Sequence, residues 1–182
     1  MTMQDTAAAG PVNATLLRGG MVVDGSDSPG WQGDVLLAGE RIVSVAAPGG
    51  TPPDLLASLR ARGPVNEIDC TGLVVAPGFI DVHTHDDSAA IEKADMRRKI
   101  SQGVTTVIVG NCGISLAPVV TDAPAAPLSL LGRGQFRHAT MRAYADAVNA
   151  ARPAVNVAAL LGHTSLRMRH MRELACTHDL HA

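Results

Sequence analysis

The sequence predicts an α/β protein in which a small antiparallel β-domain precedes the first part of a (β/α)8 TIM-like barrel. Two observations carry this prediction. Short strand-like segments separated by glycine-rich turns fill residues 13–72. Beyond them, the apolar runs 74–85, 103–110 and 153–163 alternate with segments of helical character, and each run ends in polar residues.

The N-terminal part divides into a tail and a β-rich domain. Residues 1–12 are rich in Ala and Thr, which favours a flexible tail. The domain at 13–72 is predicted to contain strands near 15–18, 21–24, 33–41 and 42–46. A surface helix is expected at 54–62, with Asp54 as its N-cap.

The third predicted domain, 73–182, is the barrel portion. The uniform apolar run 74–85 predicts one strand that is buried on both faces. A helix at 88–102, a strand at 103–110, a helix at 140–150 capped by Thr140 and a strand at 153–163 follow it. The Pro- and Gly-rich stretch 116–134 is expected to be a long loop over the mouth of the barrel.

The strand at 74–85 ends with two histidines. Side chains alternate along a strand, so His83 and His85 point to one side and Thr84 to the other. Two imidazoles that converge at a strand end provide half of a divalent-metal site. Two half-exposed histidines at a strand edge would give the same tripeptide, but a second polar strand end downstream favours the metal site.

That second strand end carries the segment Gly-Asn-Cys-Gly-Ile-Ser at 110–115. The carboxyl ends of parallel strands meet at one face of a (β/α) barrel, where active sites form. Cys112 is therefore expected near the two histidines, where its thiolate would suit zinc. An ordinary buried cysteine is the alternative interpretation.

Composition excludes several classes of function. The chain has 182 residues, 46% hydrophobic, and a formal net charge of −2, which argues against nucleic-acid binding. Its three cysteines do not form a disulfide framework, and no apolar run reaches the length of a membrane span. The sequence predicts a cytoplasmic protein without a membrane or nucleic-acid partner.

The segments Gly-Phe-Ile-Asp-Val-His-Thr-His at 78–85 and Gly-Asn-Cys-Gly-Ile-Ser at 110–115, with Gly-His-Thr-Ser-Leu-Arg at 162–167, resemble a known family. The first resembles the opening barrel strand of the amidohydrolase superfamily. The second resembles, more specifically, the D-aminoacylases, which are N-acyl-D-amino-acid deacylases. The resemblance runs from about Leu16 to about Met171.

The resemblance implies a metal-dependent barrel that hydrolyses the amide bond of small N-acyl-D-amino acids. One or two zinc ions would be held by His83, His85 and Cys112, with Cys112 as the bridging anion. Zinc would activate water, and the family's general base is an Asp near the last barrel strand. Other candidates to orient a ligand or contact substrate are Asp81, Asn111, His163 and Arg167.

The length of 73–182 accommodates only about three strand–helix units, whereas a complete barrel takes about 250 residues. We therefore expect a truncated barrel that lacks the general-base Asp and two further histidine ligands. Two alternatives stay open. One is a different amidohydrolase, of the dihydroorotase or dipeptidase type, and the other is a non-catalytic fragment. The sequence does not predict an oligomeric state.

Overall fold

The computed structural model describes residues 12–168, so the predicted tail at 1–12 lies almost wholly outside the described residues. The chain divides into two compact units, Met1–Pro77 and Gly78–Ala182. Between residues 12 and 168, no helix is both long and apolar enough to span a bilayer. Each unit has its own hydrophobic core, and we describe the two separately.

The N-terminal unit is a five-stranded sheet with one helix. Its elements are β1 (Ala14–Val22), β2 (Trp31–Ala38), β3 (Arg41–Ala46), α1 (Pro53–Arg62), β4 (Val65–Asp69) and β5 (Val74–Val75). The strand order is β3-β2-β1-β4, and β5 also pairs with β1. The strands predicted at 15–18 and 21–24 form one strand, β1, whose register against β2 shifts between Leu17 and Gly20.

Two predictions for this unit were wrong. The sheet is mixed, because the crossover through α1 returns the chain so that β4 runs parallel to β1, as β5 does. Asp54 is not the N-cap of α1. Pro52 occupies that position and Asp54 lies in the first helical turn, where its charge still complements the helix dipole.

One buried carboxylate organises loops of the N-terminal unit. Asp34 is only 2% exposed. Its two oxygens accept hydrogen bonds from the backbone amides of Gly19 and Gly49, each at 2.8 Å. The unit's core lies beside it, and consists of Ala14, Leu16, Leu36 and Leu59. A buried carboxylate is tolerated here because both of its oxygens are hydrogen-bonded.

The C-terminal unit alternates strands and helices. Its elements are β6 (Phe79–Asp81), α2 (Ala89–Glu92), α3 (Arg97–Ile100), β7 (Val104–Val109), β8 (Val120–Thr121), a 3-10 turn (Leu128–Leu131), β9 (Phe136–Arg137), α4 (Met141–Ala151), β10 (Asn156–Ala159) and α5 (His163–Arg167). β10, β7 and β6 form a parallel sheet in that order. The predicted α/β class with sequentially adjacent parallel strands is confirmed.

The single buried strand predicted at 74–85 is wrong in two respects. The segment forms two short strands, since β5 pairs with β1 whereas β6 pairs with β7. Phe79 and Ile80 of β6 are 65% and 60% exposed. Within residues 12–168 β6 is an edge strand that pairs only with β7, and the described elements leave these two side chains largely exposed.

The predicted helix at 88–102 is broken into α2 and α3. The break occurs at Met96, whose φ of 42° is left-handed and whose side chain is buried in the core of the unit. The sequence predicts Gly103 as the C′ residue of this helix, but it lies one position further on, because α3 ends at Ile100 and Ser101 is its C-cap. Gly103 has a φ of 77° and donates its amide to the Ile100 carbonyl at 2.9 Å.

Of the predictions for residues 116–163, one is confirmed and two are wrong in part. α4 begins after Thr140, whose hydroxyl accepts a hydrogen bond from the Ala143 amide at 3.1 Å, which confirms the cap. The stretch 116–134 is not simply a loop, because Leu116, Leu128 and Leu131 are buried core residues. The strand predicted at 153–163 covers only Asn156–Ala159, and α5 begins at His163.

Candidate metal centre

The ends of β6 and β7 bring three candidate metal ligands together. The donor atoms of His83, His85 and Cys112 all lie within 4.8 Å of one another. His83 Nε2 is 3.0 Å from Cys112 Sγ, and the two imidazole rings lie 6.0 Å apart at 84°. All three side chains are exposed. The structure thus places two imidazoles and one thiol where a single ion could contact all three.

The histidines keep a strand-like alternation beyond the last paired residue of β6. The Thr84 amide donates to the carbonyl of Ile108 in β7 at 3.4 Å, which continues the alignment of the two chains. Thr84 is buried, whereas His83 and His85 are exposed, so the predicted alternation is confirmed. Both imidazoles consequently lie on the side of the segment where Cys112 is found.

Cys112 lies in a tight turn with unusual backbone geometry. Its φ is 54°, and the flanking Gly110 and Gly113 have φ values of 81° and 73°. The Ile114 amide closes the turn on the Asn111 carbonyl at 3.0 Å. A left-handed conformation costs a residue with a Cβ about 1–2 kcal/mol. Residues in such conformations persist where the surrounding contacts determine them, often at functional sites.

Asn111 connects this turn to the histidine segment. Its side-chain amide donates to the Ile108 carbonyl at 2.6 Å and to the Thr84 carbonyl at 3.4 Å. Thr84 lies between the two histidines, so one side chain touches both strand ends. Asn111 thereby relates the position of Cys112 to that of the His-x-His segment.

A lysine lies beneath the histidine segment. Lys99 Nζ is 2.6 Å from Asp81 Oδ2, 2.9 Å from Asp86 Oδ2 and 3.2 Å from Thr84 Oγ1. The hydrogen bond from Lys99 lowers the pKa of Asp81. Burial by itself would lower the pKa of Lys99, but its hydrogen bonds to the two carboxylates outweigh this and raise it. Asp81 reaches His83 only through the backbone amide, at 3.3 Å.

Asp87 follows the histidines in sequence and would be expected as a loop carboxylate, but the structure buries it. Two residues beyond His85, it is 1% exposed, and its Oδ2 has no hydrogen-bond partner among the described residues. Burial raises the pKa of its carboxyl to about 6, although a hydrogen bond from the Gly110 backbone opposes the rise. The Tyr144 hydroxyl donates to the Asp87 carbonyl at 2.9 Å. Tyr144 is distant in sequence, so no local pattern indicated this burial.

Two other candidate residues, His163 and Arg167, belong to α5. His163 is the first residue of α5 and is exposed, and it does not belong to the group of metal-competent side chains found in the described part of the chain. Arg167 lies in the last turn of the same helix and is partly buried. His163 is therefore not one of the three grouped donors, and both residues stay candidates for substrate contact.

The chemistry of the donor set fits a zinc ion. Imidazole nitrogen and thiolate sulfur are the ligands that zinc prefers in proteins, and three protein ligands leave positions open for water or substrate. The exposure of all three donors also gives small molecules access to them. The set lacks the several oxygen ligands that calcium or magnesium would require.

Comparison with known proteins places the chain in a family. The model of the Amidohydrolase family matches residues 66–179, which include all of the C-terminal strands and the three donors. The chain therefore belongs to the amidohydrolase family.

The relatives of this chain include a D-aminoacylase and N-acyl-D-amino-acid deacylases. It is 47% identical over 160 residues to D-aminoacylase of Alcaligenes xylosoxydans xylosoxydans, covering 87% of this chain and 31% of the relative. A D-aminoacylase structure with a binuclear metal centre, activated by one metal and attenuated by the second, matches at 48% identity with a TM-score of 0.77. That match covers 88% of this chain and 32% of the other.

A second structure with the same fold contains zinc. The N-acyl-D-glutamate deacylase of Bordetella bronchiseptica, complexed with zinc and a phosphonate mimic of the tetrahedral intermediate, is 41% identical with a TM-score of 0.74. The match covers 90% of this chain and 32% of that one. The chain thus spans about a third of the length of the relatives that it matches.

Proposed function

We propose that this chain is the metal-binding portion of a zinc-dependent deacylase that hydrolyses the amide bond of N-acyl-D-amino acids. The products would be a D-amino acid and a carboxylate. The observation that carries the proposal is the convergence of His83, His85 and Cys112 within 4.8 Å at neighbouring strand ends. The D-aminoacylase relative, with its 47% identity, supports the choice of substrate class.

The chain's own residues have distinct parts in this proposal. His83, His85 and Cys112 would hold one or two zinc ions, which when bound polarise a carbonyl and activate water near neutral pH. Asn111 fixes the cysteine turn against Thr84. Lys99 forms ion pairs with Asp81 and Asp86, which flank the histidine segment in sequence, and offsets part of their negative charge. No described residue is assigned as the general base, which the family provides from a later strand.

The proposed barrel is larger than the part described. β6, β7 and β10 would be its first three strands, and the three donors would lie at their carboxyl ends, where active sites of such barrels form. The chain covers 31% of the D-aminoacylase relative. A second candidate function is zinc binding without turnover, since no described residue is assigned as the general base.

Metal analysis tests the site directly. We would measure zinc by mass spectrometry in the purified chain and in Cys112→Ala, with Cys70→Ala as the matched cysteine control, since Cys70 is buried in the N-terminal unit. We expect zinc to be lost from Cys112→Ala and retained in Cys70→Ala. Equal zinc in all three samples would rule out Cys112 as a ligand.

Activity on the same samples separates the two candidate functions. Hydrolysis of N-acetyl-D-amino acids, but not of their L-enantiomers, by the zinc-loaded chain would support the deacylase. Stoichiometric zinc without D-selective hydrolysis would support the non-catalytic binder. If the chain contains no zinc and shows no hydrolysis, both proposals are contradicted.

A further inference from the structure

A pair of buried serines lies immediately behind the cysteine turn. Ser115 and Ser165 are 3% and 0% exposed and lie 50 residues apart in sequence. The Ser115 amide donates to Ser165 Oγ at 2.8 Å, and the Ser165 hydroxyl donates back to the Ser115 carbonyl at 2.8 Å. Ser115 is three residues beyond Cys112, whereas Ser165 lies in α5. The two serines therefore join the end of the cysteine turn to α5 by reciprocal hydrogen bonds.

Backbone groups of α5 reinforce the same connection. The amides of Thr164 and Ser165 both donate to the carbonyl of Gly113, at 2.8 and 3.3 Å. Gly162 comes so close that a Cβ there would lie 2.6 Å from the Gly113 oxygen. Its amide also donates to Ser115 Oγ at 3.0 Å. The residue that follows Cys112 is thus held from one side by the first turn of α5.

These contacts act on a residue whose backbone is strained. Cys112 has a φ of 54°, and such a conformation is maintained only where neighbouring contacts outweigh its cost. Asn111 holds the turn before the cysteine, through Ile108 and Thr84. On the other side, the serine pair and α5 hold it from Gly113 onwards. The geometry leaves Cys112 fixed between two anchored flanks.

We propose that Ser165, through Ser115 and Gly113, is a positioning residue that holds the Cys112 thiolate in place for metal binding. The proposal rests on the proposed metal site and adds a residue to it that does not touch the metal. The buried hydroxyl of Ser165 both donates and accepts a hydrogen bond. Removal of this hydroxyl therefore leaves the amide and the carbonyl of Ser115 without their partners. We expect the turn to loosen and Cys112 to leave its position beside His83.

The test compares Ser165→Ala with Val148→Ala in the 182-residue chain. Val148 lies in the core of the same unit, on α4, so its truncation lowers stability without touching the cysteine turn. We would titrate each protein with Co²⁺ and follow the thiolate-to-cobalt charge-transfer band, and measure zinc affinity by competition with a chelating dye. We expect Ser165→Ala to bind zinc about 10- to 100-fold more weakly and to lose most of the band. Val148→Ala should keep both.

A second variant covers the case in which Ser165→Ala does not fold. Ser115→Ala removes the hydrogen bonds of the Ser115 hydroxyl to the Gly162 amide and the Ala117 carbonyl but leaves the backbone groups that bond to Ser165, so we expect a weakening in the same direction. If both serine variants match Val148→Ala in zinc affinity and in the cobalt band, the positioning role is excluded and the pair is only structural.

A metal-free measurement separates this proposal from the proposed function. Amide hydrogen exchange of Ile114, which closes the cysteine turn, is compared with that of Val107 in the same sample, because the ratio cancels global destabilisation. We expect the ratio to rise about 10-fold or more in Ser165→Ala and to stay constant in Val148→Ala. Absence of the cobalt charge-transfer band in the wild-type chain would contradict the proposed metal site. An unchanged exchange ratio in Ser165→Ala would contradict the positioning role of Ser165.

Discussion

Lys99 donates to the carboxylate of Asp81 at 2.6 Å and thereby connects α3 to the end of β6. The same ammonium lies 2.9 Å from Asp86, so one cation separates two carboxylates on either side of the histidine segment. The side chains of Lys99 and Asp81 are only 20% and 28% exposed, which limits screening by solvent. The segment that carries His83 and His85 is thus held by charge as well as by strand pairing.

Replacement of Lys99 by Met should therefore destabilise the C-terminal unit. Two partly buried carboxylates would lose their common partner, and we expect the free energy of unfolding to fall by about 1–3 kcal/mol. Arg97→Met is the control on the same helix, because Arg97 is 87% exposed and lies 3.7 Å from Asp95. Urea unfolding measures both variants. Equal small losses would show that the Lys99 contacts contribute little.

Substitution of Gly110 tests the close packing of β7 against β10. A Cβ on Gly110 would overlap the carbonyl oxygen of Leu160, and its φ is 81°. We expect Gly110→Ala to cost about 3 kcal/mol or more, from strain and overlap together. Gly134→Ala isolates the strain, since its φ is 75° and the nearest atom is the flexible end of Arg137 at 3.7 Å. That control should lose about 1–2 kcal/mol in urea unfolding.

The carboxylate of Asp34 should be important for the N-terminal unit. Asp34→Asn replaces one acceptor oxygen by a donor facing a backbone amide, either that of Gly19 or that of Gly49. We expect the free energy of unfolding to fall by about 1.5–3 kcal/mol. Asp27→Asn, at an exposed position, should change it by no more than about 0.5 kcal/mol. If thermal and urea unfolding do not distinguish the two variants, the loop contacts are dispensable.

His138 should make stability depend on pH. Its ring packs edge-on against Tyr144 at 5.5 Å, and burial lowers the pKa of its imidazole below 6.5. The folded state therefore binds fewer protons than the unfolded state, so this contribution is complete above pH 6.5 and is lost as the pH falls below it. His138→Phe keeps a ring but cannot titrate.

We expect the melting temperature of the wild type to fall more than that of His138→Phe between about pH 7.5 and about pH 5.5. The comparison at the higher pH gives the packing effect of the substitution alone, because the imidazole is neutral there. Parallel decreases in the two proteins would show that His138 does not contribute to acid sensitivity.

Local patterns predicted part of the candidate site. Alternation along the strand placed His83 and His85 on one side, and the polar end of the next strand placed Cys112 near them. The left-handed backbone at Cys112 was not predicted. Other features depend on contacts between distant residues and left no local pattern. Asp87 is buried under Tyr144, and Ser115 meets Ser165 across 50 residues.

The errors also have physical causes. An apolar run such as 74–85 predicts burial only if other elements cover it, and β6 has a single neighbour within residues 12–168. The break between α2 and α3 spans residues 93–96 and ends at Met96, whose left-handed backbone accompanies a buried side chain, a tertiary feature that helix propensity does not reveal.

The left-handed backbone at Cys112 has an evolutionary consequence. Glycine would adopt this conformation without the penalty of about 1–2 kcal/mol that a Cβ incurs. Cys112→Gly should therefore make the metal-free chain more stable in urea while abolishing its zinc content, a trade-off between stability and function. In a gene copy that is no longer under selection for metal binding, mutation of this codon to glycine would increase the folding stability of the protein.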